Sequence, residues 1–477
     1  MRNTLLVCAA IALAPSLALA QQTQLSVTTA APEALVLYQK ALDYVENVES
    51  ESARPLLDQA IQKDPGFAMA YALRAVTGGG FAVARQNRDK ALSLADKVSP
   101  GERHWIMAAQ AQADGDVPTM KQHLVELLKL YPNDKHVVYF AGNAARLADD
   151  TEALTYFKRA TTIDAKFAAP YNQIGYIHIR KGDFAAAEQA LKQYIANRPE
   201  SANPYDSYAE LLLRTGRYDE SIAQYEKALT KLPGFAGSLM GIGHNNVFKG
   251  DYVKARESYK RLYDAGNAPD KASSLYWTAV SFVHEGKPAE ALQAFEQQRE
   301  FAIAEKLTPT TMNAHLDQAW LLSESGKSSD ARTHIDKVEA MIGDAPFTDR
   351  AKANWHRQVL VAKALTAAQA KDFATAGSTI ERAKASMTPD LPRAETENYE
   401  SAMGVIDVLQ GKYDAALAHL NRADPDDPYA MFYQAEAMRL KGDAAGATKM
   451  YKKVATSNQN GLGYALVRSR AIKASGT

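Results

Sequence analysis

Apolar and polar residues alternate along most of this chain with the period of amphipathic helices, and the helices come in pairs. Over residues 171–265, three consecutive segments each contain an apolar helical pattern, a glycine, a short turn and a second helical pattern. The glycines lie 34 residues apart, at Gly182, Gly216 and Gly250. This period indicates a solenoid of helix pairs, in which one pair cannot bury its apolar face alone.

Small and large residues recur at fixed places in these pairs. Positions four apart lie on one stripe of a helix, so two helices approach closely where small residues line the contact. We expect small residues of the first helices to meet large residues of the second helices, as in Gly175 with Leu191 and Gly243 with Tyr259. Glycines are predicted to end first helices in a left-handed conformation, at positions 182, 216, 250, 286, 326, 411 and 442. Lys371 stands where a further glycine of this kind is expected.

This combination of small, large, aromatic and glycine positions resembles the tetratricopeptide repeat family. The resemblance is strongest between Asp134 and Ala265 and covers nearly the whole chain beyond its first residues. It implies an all-α fold, a right-handed superhelical solenoid of about twelve helix-turn-helix repeats. It also implies that the first helices line a concave face, which in this family typically binds protein segments.

The two ends of the chain differ from the repeats. Residues 1–20 carry one early positive charge, an apolar stretch and a small-residue cleavage site, which predicts a secretory signal peptide and a periplasmic or secreted protein. We expect a flexible leader over residues 21–32. The array is then predicted to divide into a regular part, 33–264, and a less regular part, 265–460. Residues 461–477 are predicted to form a capping helix and a tail.

Composition excludes several function classes. The 55 basic and 55 acidic residues balance, and no polybasic run suggests nucleic acid. No later apolar stretch is long enough to span a membrane. The single cysteine, Cys8, lies in the predicted signal peptide, and no histidine spacing is typical of a metal site. We therefore expect no metal, no cofactor and no catalytic residues.

Candidate contact residues lie on the first helices, on the predicted concave face but off the packing stripe. They are Asn172, Tyr176, Arg180, Asp206, Glu210, Arg214, His244, Asn245, Tyr276 and Trp320. Each also has a structural interpretation. The arginines are suited to pairing with nearby acids, Asp206 and Glu210 to a solvated face, and Asn245 to bonding a neighbouring helix.

Three functions are consistent with these patterns. The first is an exported, non-catalytic scaffold that binds a protein or peptide in its groove, in envelope assembly. The second is a glycan or small-ligand binding module with Trp320 as its platform. The third is an all-helical enzyme acting on polysaccharide, which would use residues such as Asp206, Glu210 and Tyr176.

Overall fold

The computed structural model describes residues 24–146, 149–388 and 391–476. The predicted signal peptide lies outside these ranges. In the described residues the regular structure is helical, and twenty-four helices form twelve consecutive pairs followed by one further helix. The predicted all-α repeat fold and its number of repeats are confirmed. No helix in the described part of the chain combines the length and apolar character needed to cross a bilayer.

The chain divides into two compact units, the first ending at Pro199 and the second beginning at Glu200. The predicted boundary between residues 264 and 265 differs from this division. After residue 265 several helices become longer, and this accounts for the longer repeat spacing. Consecutive helices on either side of residue 265 still pack directly on each other.

The N-terminal unit contains five helix pairs, which we number in chain order. They are α1 (Pro32–Glu46), α2 (Ser50–Lys63), α3 (Ala68–Arg74), α4 (Phe81–Leu94), α5 (Pro100–Asp114), α6 (Val117–Leu130), α7 (Lys135–Ala145), α8 (Asp150–Ile163), α9 (Ala169–Arg180) and α10 (Phe184–Asn197).

The C-terminal unit contains seven pairs and the final helix. They are α11 (Asn203–Arg214), α12 (Tyr218–Lys231), α13 (Ala236–Lys249), α14 (Tyr252–Ala265), α15 (Ala268–His284), α16 (Pro288–Ala304), α17 (Thr308–Glu324), α18 (Ser328–Ile342), α19 (Asp349–Gln369), α20 (Phe373–Ala385), α21 (Arg393–Leu409), α22 (Tyr413–Leu420), α23 (Pro428–Lys441), α24 (Ala444–Ala455) and α25 (Leu462–Ser475).

Close approach within a pair depends on the predicted small residues. A methyl group on Gly175 would lie 2.7 Å from the side chain of Leu191, and one on Gly243 would lie 2.1 Å from the ring of Tyr259. Both contacts are shorter than any real carbon contact, so a larger residue would force the helices apart. The predicted packing register is therefore confirmed at these pairs.

The first helices end at residues with positive φ. All seven glycines predicted for this position adopt it, with φ between 71° and 100°. Lys371 adopts the same left-handed conformation, with φ 61°, although a side chain makes this unfavourable. The repeat thus imposes its turn geometry even where glycine is absent.

Residues 24–31 run ahead of α1 as a bonded segment, in place of the predicted flexible leader. The Leu25 amide donates to the Asp134 carboxylate at 2.7 Å, and the Thr28 amide donates to Glu102 at 2.7 Å. Both carboxylates are buried. Buried carboxylate oxygens require hydrogen-bond donors, and the amides of this segment supply them. This explains why the polar stretch is held in place.

Candidate functional site

The last helix of the chain lies against several first helices of the C-terminal unit. Helix α25 packs on α24 and also on α15, α17 and α23. Its residues Leu462, Tyr464 and Val467 are 2%, 2% and 0% exposed. The predicted cap would bury one face against the end of the stack. Because α25 is apolar on more than one side, it is buried among several helices instead.

The residues before α25 form hydrogen bonds with other helices of the same unit. Asn458 accepts a hydrogen bond from the Tyr218 hydroxyl at 2.6 Å, and its amide nitrogen lies 3.3 Å from the Arg214 carbonyl, to which it donates. Arg214, one of the predicted contact residues, therefore bonds the chain's own terminal segment through its backbone.

Asn460 makes a second set of contacts, two residues further on. Its amide nitrogen lies 2.9 Å from Nδ1 of His244, and its amide oxygen lies 2.9 Å from Nε2 of His284. Burial lowers the pKa of both histidines to about 3, so both rings are neutral at pH 7. The neutral His284 ring donates its Nε2 proton to Asn460.

Tyr276 and Trp320 complete this cluster. The Tyr276 phenol is hydrogen-bonded to the Leu462 backbone, and burial raises its pKa well above the usual range. A methyl group on Gly463 would lie 2.8 Å from the Trp320 indole. The structure therefore brings four predicted contact residues together around residues 458–463 of the same chain. They are Arg214, His244, Tyr276 and Trp320.

Asn245 points away from this face. It is 0% exposed, and its amide nitrogen donates to the Ser221 hydroxyl at 2.9 Å and to the Gly241 carbonyl at 2.8 Å. These contacts link α13 to α12 and to its own preceding turn. They match the structural interpretation of this residue.

Asp206 and Glu210 lie one turn apart on α11. Asp206 accepts a hydrogen bond from the Ser238 hydroxyl at 2.7 Å, and burial raises its pKa to about 7. Glu210 pairs with Arg214 on the same helix at 3.1 Å. Both carboxylates therefore have partners within the unit.

The remaining three predicted residues lie on α9 in the N-terminal unit. Asn172 is 2% exposed, and its amide oxygen has no hydrogen-bond partner among the described residues. Arg180 pairs with Asp150 at 2.6 Å, as its structural interpretation anticipates. Tyr176 is half-buried.

An open cavity of about 610 Å³ lies on the first-helix face of α17, α19 and α21. We call it the α17–α21 cavity. Its walls are mainly apolar, and their larger members are Leu316, Val361, Leu365, Met387, Tyr399 and Val405. Trp320 also lines it and is the only predicted contact residue that does so. Its volume is within the range of roughly 300–1,000 Å³ typical of ligand pockets.

The wall also contains polar side chains. Arg357 donates to the Glu395 carboxylate at 2.6 and 2.9 Å, so this buried ion pair is satisfied. By contrast, the Ser323 hydroxyl and the Trp320 indole nitrogen are buried without a hydrogen-bond partner in the described chain. Burial of such groups without a partner carries an energetic penalty.

A smaller cavity of about 270 Å³ adjoins the first at Trp320. It is lined by Glu397, Asp424 and Asp427, and by residues 459–461 of the terminal segment. Asp427 also caps α23 by accepting hydrogen bonds from two backbone amides. Burial, with a contribution from the nearby Asp424 carboxylate, raises the pKa of Asp427.

Sequence reasoning missed most of this cavity because α19 and α21 lie where the repeat spacing is irregular. A local signal was present. Arg357, Val361 and Leu365 are spaced by four and therefore share one stripe of α19. A charged residue on an otherwise apolar stripe is unusual for a packing face and could have indicated a lined cavity.

Comparison with known families agrees with this architecture. One profile described as "Tetratricopeptide repeat" matches residues 172–234 and 241–302, and a second with the same description matches residues 429–460. These residues therefore carry tetratricopeptide repeats. The matched spans coincide with helix pairs between α9 and α16 and with α23 and α24.

Curated relatives of this protein match it over part of their length. It is 27% identical over 126 residues to cytochrome c-type biogenesis protein CycH of Rhizobium meliloti, covering 26% of this chain and 33% of that protein. It is 25% identical over 305 residues to cellulose synthase operon protein C of Xanthomonas axonopodis pv. citri, covering 61% and 19%. The chain thus spans a third or less of these relatives.

Among solved structures, a tetratricopeptide repeat protein from Parabacteroides merdae aligns with 59% of this chain and 100% of its own. The sequence identity is 15% and the TM-score is 0.36.

Proposed function

We propose that this protein is a non-catalytic scaffold that binds a segment of a partner protein in the α17–α21 cavity. One observation carries the proposal. The neighbouring part of the same first-helix face already binds a peptide segment, the chain's own residues 458–463. The α17–α21 cavity continues that face without such an occupant from the described chain.

The filled part of the face indicates how a partner would be bound. Asn458 bonds Arg214 at the end of the first helix α11, and Asn460 bonds His244 and His284 of the first helices α13 and α15. The helix that follows then buries apolar side chains. Peptide recognition by repeat arrays uses the same two components, backbone or amide hydrogen bonds and apolar pockets.

The other predicted contacts enter the proposal in different ways. We propose Asn172, Tyr176 and Arg180 as a separate contact region of the N-terminal unit, because their spacing of four places them on one stripe of α9. We propose no catalytic role for Asp206 and Glu210. Glu210 is paired with Arg214, and Asp206 lines neither cavity.

The cellular setting is also a proposal. Residues 1–20 support export to the periplasm or beyond. The names of two relatives refer to cytochrome c biogenesis and to a cellulose synthase operon, and they support a role in envelope assembly.

Photo-crosslinking in living cells tests the function. A photoreactive residue is placed at Asn398, an exposed residue of α21 that lines both cavities, with exposed Ala374 on the second helix α20 as control. We expect one discrete protein adduct from position 398 and none from position 374. Equal adducts at both positions, or none at position 398, would contradict the proposal.

A glycan is the alternative occupant, because the rings of Trp320 and Tyr429 both line the cavity. Trp320 already packs edge-to-face on Tyr429, with ring centroids 5.0 Å apart. Glycan-dependent quenching of tryptophan fluorescence that is lost in Trp320→Phe, without any protein adduct, would favour this alternative.

A further inference from the structure

We infer that the occupant of the α17–α21 cavity is a basic, apolar peptide segment. One large apolar side chain enters the cavity, and an adjacent lysine or arginine lies against the carboxylates at its mouth. This inference rests on the proposed function and specifies the partner's chemistry.

The apolar half of the inference follows from the cavity walls. Val361 and Leu365 of α19 oppose Tyr399 and Val405 of α21, and Leu316 of α17 closes a third side. Tyr399 and Val405 are buried, whereas Leu316, Val361 and Leu365 are partly exposed. Covering them with a leucine, methionine or phenylalanine side chain removes apolar surface from water on both partners.

The basic half follows from the charges around the two cavities. Of the described residues that line them, four carry carboxylates and one, Arg357, carries a guanidinium. Arg357 neutralises Glu395, and Arg393 lies 2.7 Å from Glu397. The other two carboxylates of the lining are those of Asp424 and Asp427.

Asp424 and Asp427 have no basic partner among the described residues. Asp424 accepts only a backbone hydrogen bond from Asp426 at 3.0 Å, and Asp427 accepts only those of its helix cap. Burial raises the pKa of Asp427, and repulsion from the neighbouring Asp424 carboxylate adds to this rise. A cation placed beside both would relieve this repulsion, which is the basis of charge complementarity at an interface.

A peptide, rather than a small apolar molecule, is favoured by the adjoining part of the face. There the chain's own residues 458–460 are bound through hydrogen bonds to Arg214 and His244. The same helix pairs therefore already accommodate a peptide segment next to the cavity.

Selection from a displayed library of random peptides on the purified full-length chain tests the inference. We expect enriched peptides to combine a large apolar residue with a neighbouring lysine or arginine. Ala362→Phe, which fills the cavity from α19, should abolish their binding, whereas Ala374→Phe on an exposed position of α20 should not. Ser401→Phe is a second blocking variant from α21, in case one of them disturbs folding, which circular dichroism would report.

Charge is tested separately with one selected peptide. Asp424→Lys should weaken its binding about fivefold or more, and Asp426→Lys, an exposed neighbour outside the lining, by less than about twofold. Equal effects of the two variants would overturn the basic half of the inference.

The remaining outcomes separate this inference from the function on which it rests. Enrichment of acidic or uncharged peptides that Ala362→Phe and Ser401→Phe abolish would overturn the inference and leave the proposed binding site standing. No enrichment, or peptides insensitive to both blocking variants, would overturn the proposed site and the inference together.

Discussion

The face of α13 and α15 and the face of α17, α19 and α21 are built from the same kind of helix pair, yet they differ in occupancy. On the first, residues 458–463 and α25 cover the first helices and pair with His244 and Tyr276. On the second, a cavity of about 610 Å³ remains. A polar or aromatic residue on a first helix therefore does not by itself identify a partner-binding position. Such a residue can instead contact a segment of the same chain.

The filled region is also part of the hydrophobic core. Tyr464 and Val467 of α25 belong to the same buried cluster as Phe248 and Tyr259. Arg468 adds contacts by donating to the Phe248 carbonyl at 3.2 Å. The terminal helix is therefore a structural element of the C-terminal unit, and the following predictions separate it from the open region.

The largest expected effect is that of a charge in the terminal helix. Val467→Asp should lower the free energy of unfolding by roughly 3–5 kcal/mol, because it buries a carboxylate without a partner. Ser469→Asp, on an exposed position of the same helix, is the control. Urea unfolding measures both. If the two variants lose equal stability, α25 does not fill this face.

A smaller effect is expected from the segment before the helix. Asn460→Ala removes the partner of His244 and His284 and should cost about 1–3 kcal/mol. The neighbouring Gln459 makes no comparable bond through its side chain, so Gln459→Ala should cost less than about 0.5 kcal/mol. Equal losses in thermal unfolding would show that Asn460 does not anchor the segment.

Acid should weaken the filled region through its buried histidines. The folded-state pKa of His284, about 3, lies below the unfolded value near 6.5, so the unfolded chain binds the proton first. Its stabilising contribution is complete above pH 6.5 and is lost as the pH falls towards 3.

At pH 5 this loss should be about 1 kcal/mol, after allowance for partial exposure. The comparison of wild type with His284→Gln over pH 5–8 measures it. The difference in stability between the two proteins should shrink as the pH falls. A difference independent of pH would contradict the assignment of a neutral, buried ring.

The smallest effect concerns the turn between α19 and α20, beside the open cavity. Lys371→Gly should raise the free energy of unfolding by about 0.5–1 kcal/mol, because glycine adopts φ 61° without steric cost. Gly411→Lys, at the equivalent turn after α21, should lower it by a similar amount. Thermal unfolding of both checks the prediction, and a destabilised Lys371→Gly would be the contrary result.

The sequence predicted the fold well, because each repeat is specified by local contacts. Gly175 and Leu191, for example, lie only 16 positions apart and meet as predicted. The turn at Lys371 was also located from spacing alone, although it lacks glycine. In both cases the residues that specify the local structure lie within one repeat or in adjacent repeats.

The candidate site was predicted less completely because it depends on distant contacts. Asn460 meets His244 across more than two hundred residues, and no local pattern specifies that pairing. His244 was among the predicted contact residues, but its partner was not predicted. Likewise, the cavity is formed by helices of irregular spacing. The positions of contact residues in the regular repeats therefore could not be transferred to these helices.

Hydrogen exchange of backbone amides, measured with and without a peptide selected on the full-length chain, tests the central claim most directly. The claim is that one region of the face stays filled by the chain itself while the other accepts a partner. We predict slower exchange in α19 and α21 on binding and no change in α25. Faster exchange in α25 on binding would contradict the account, because it would show that the partner displaces the terminal helix.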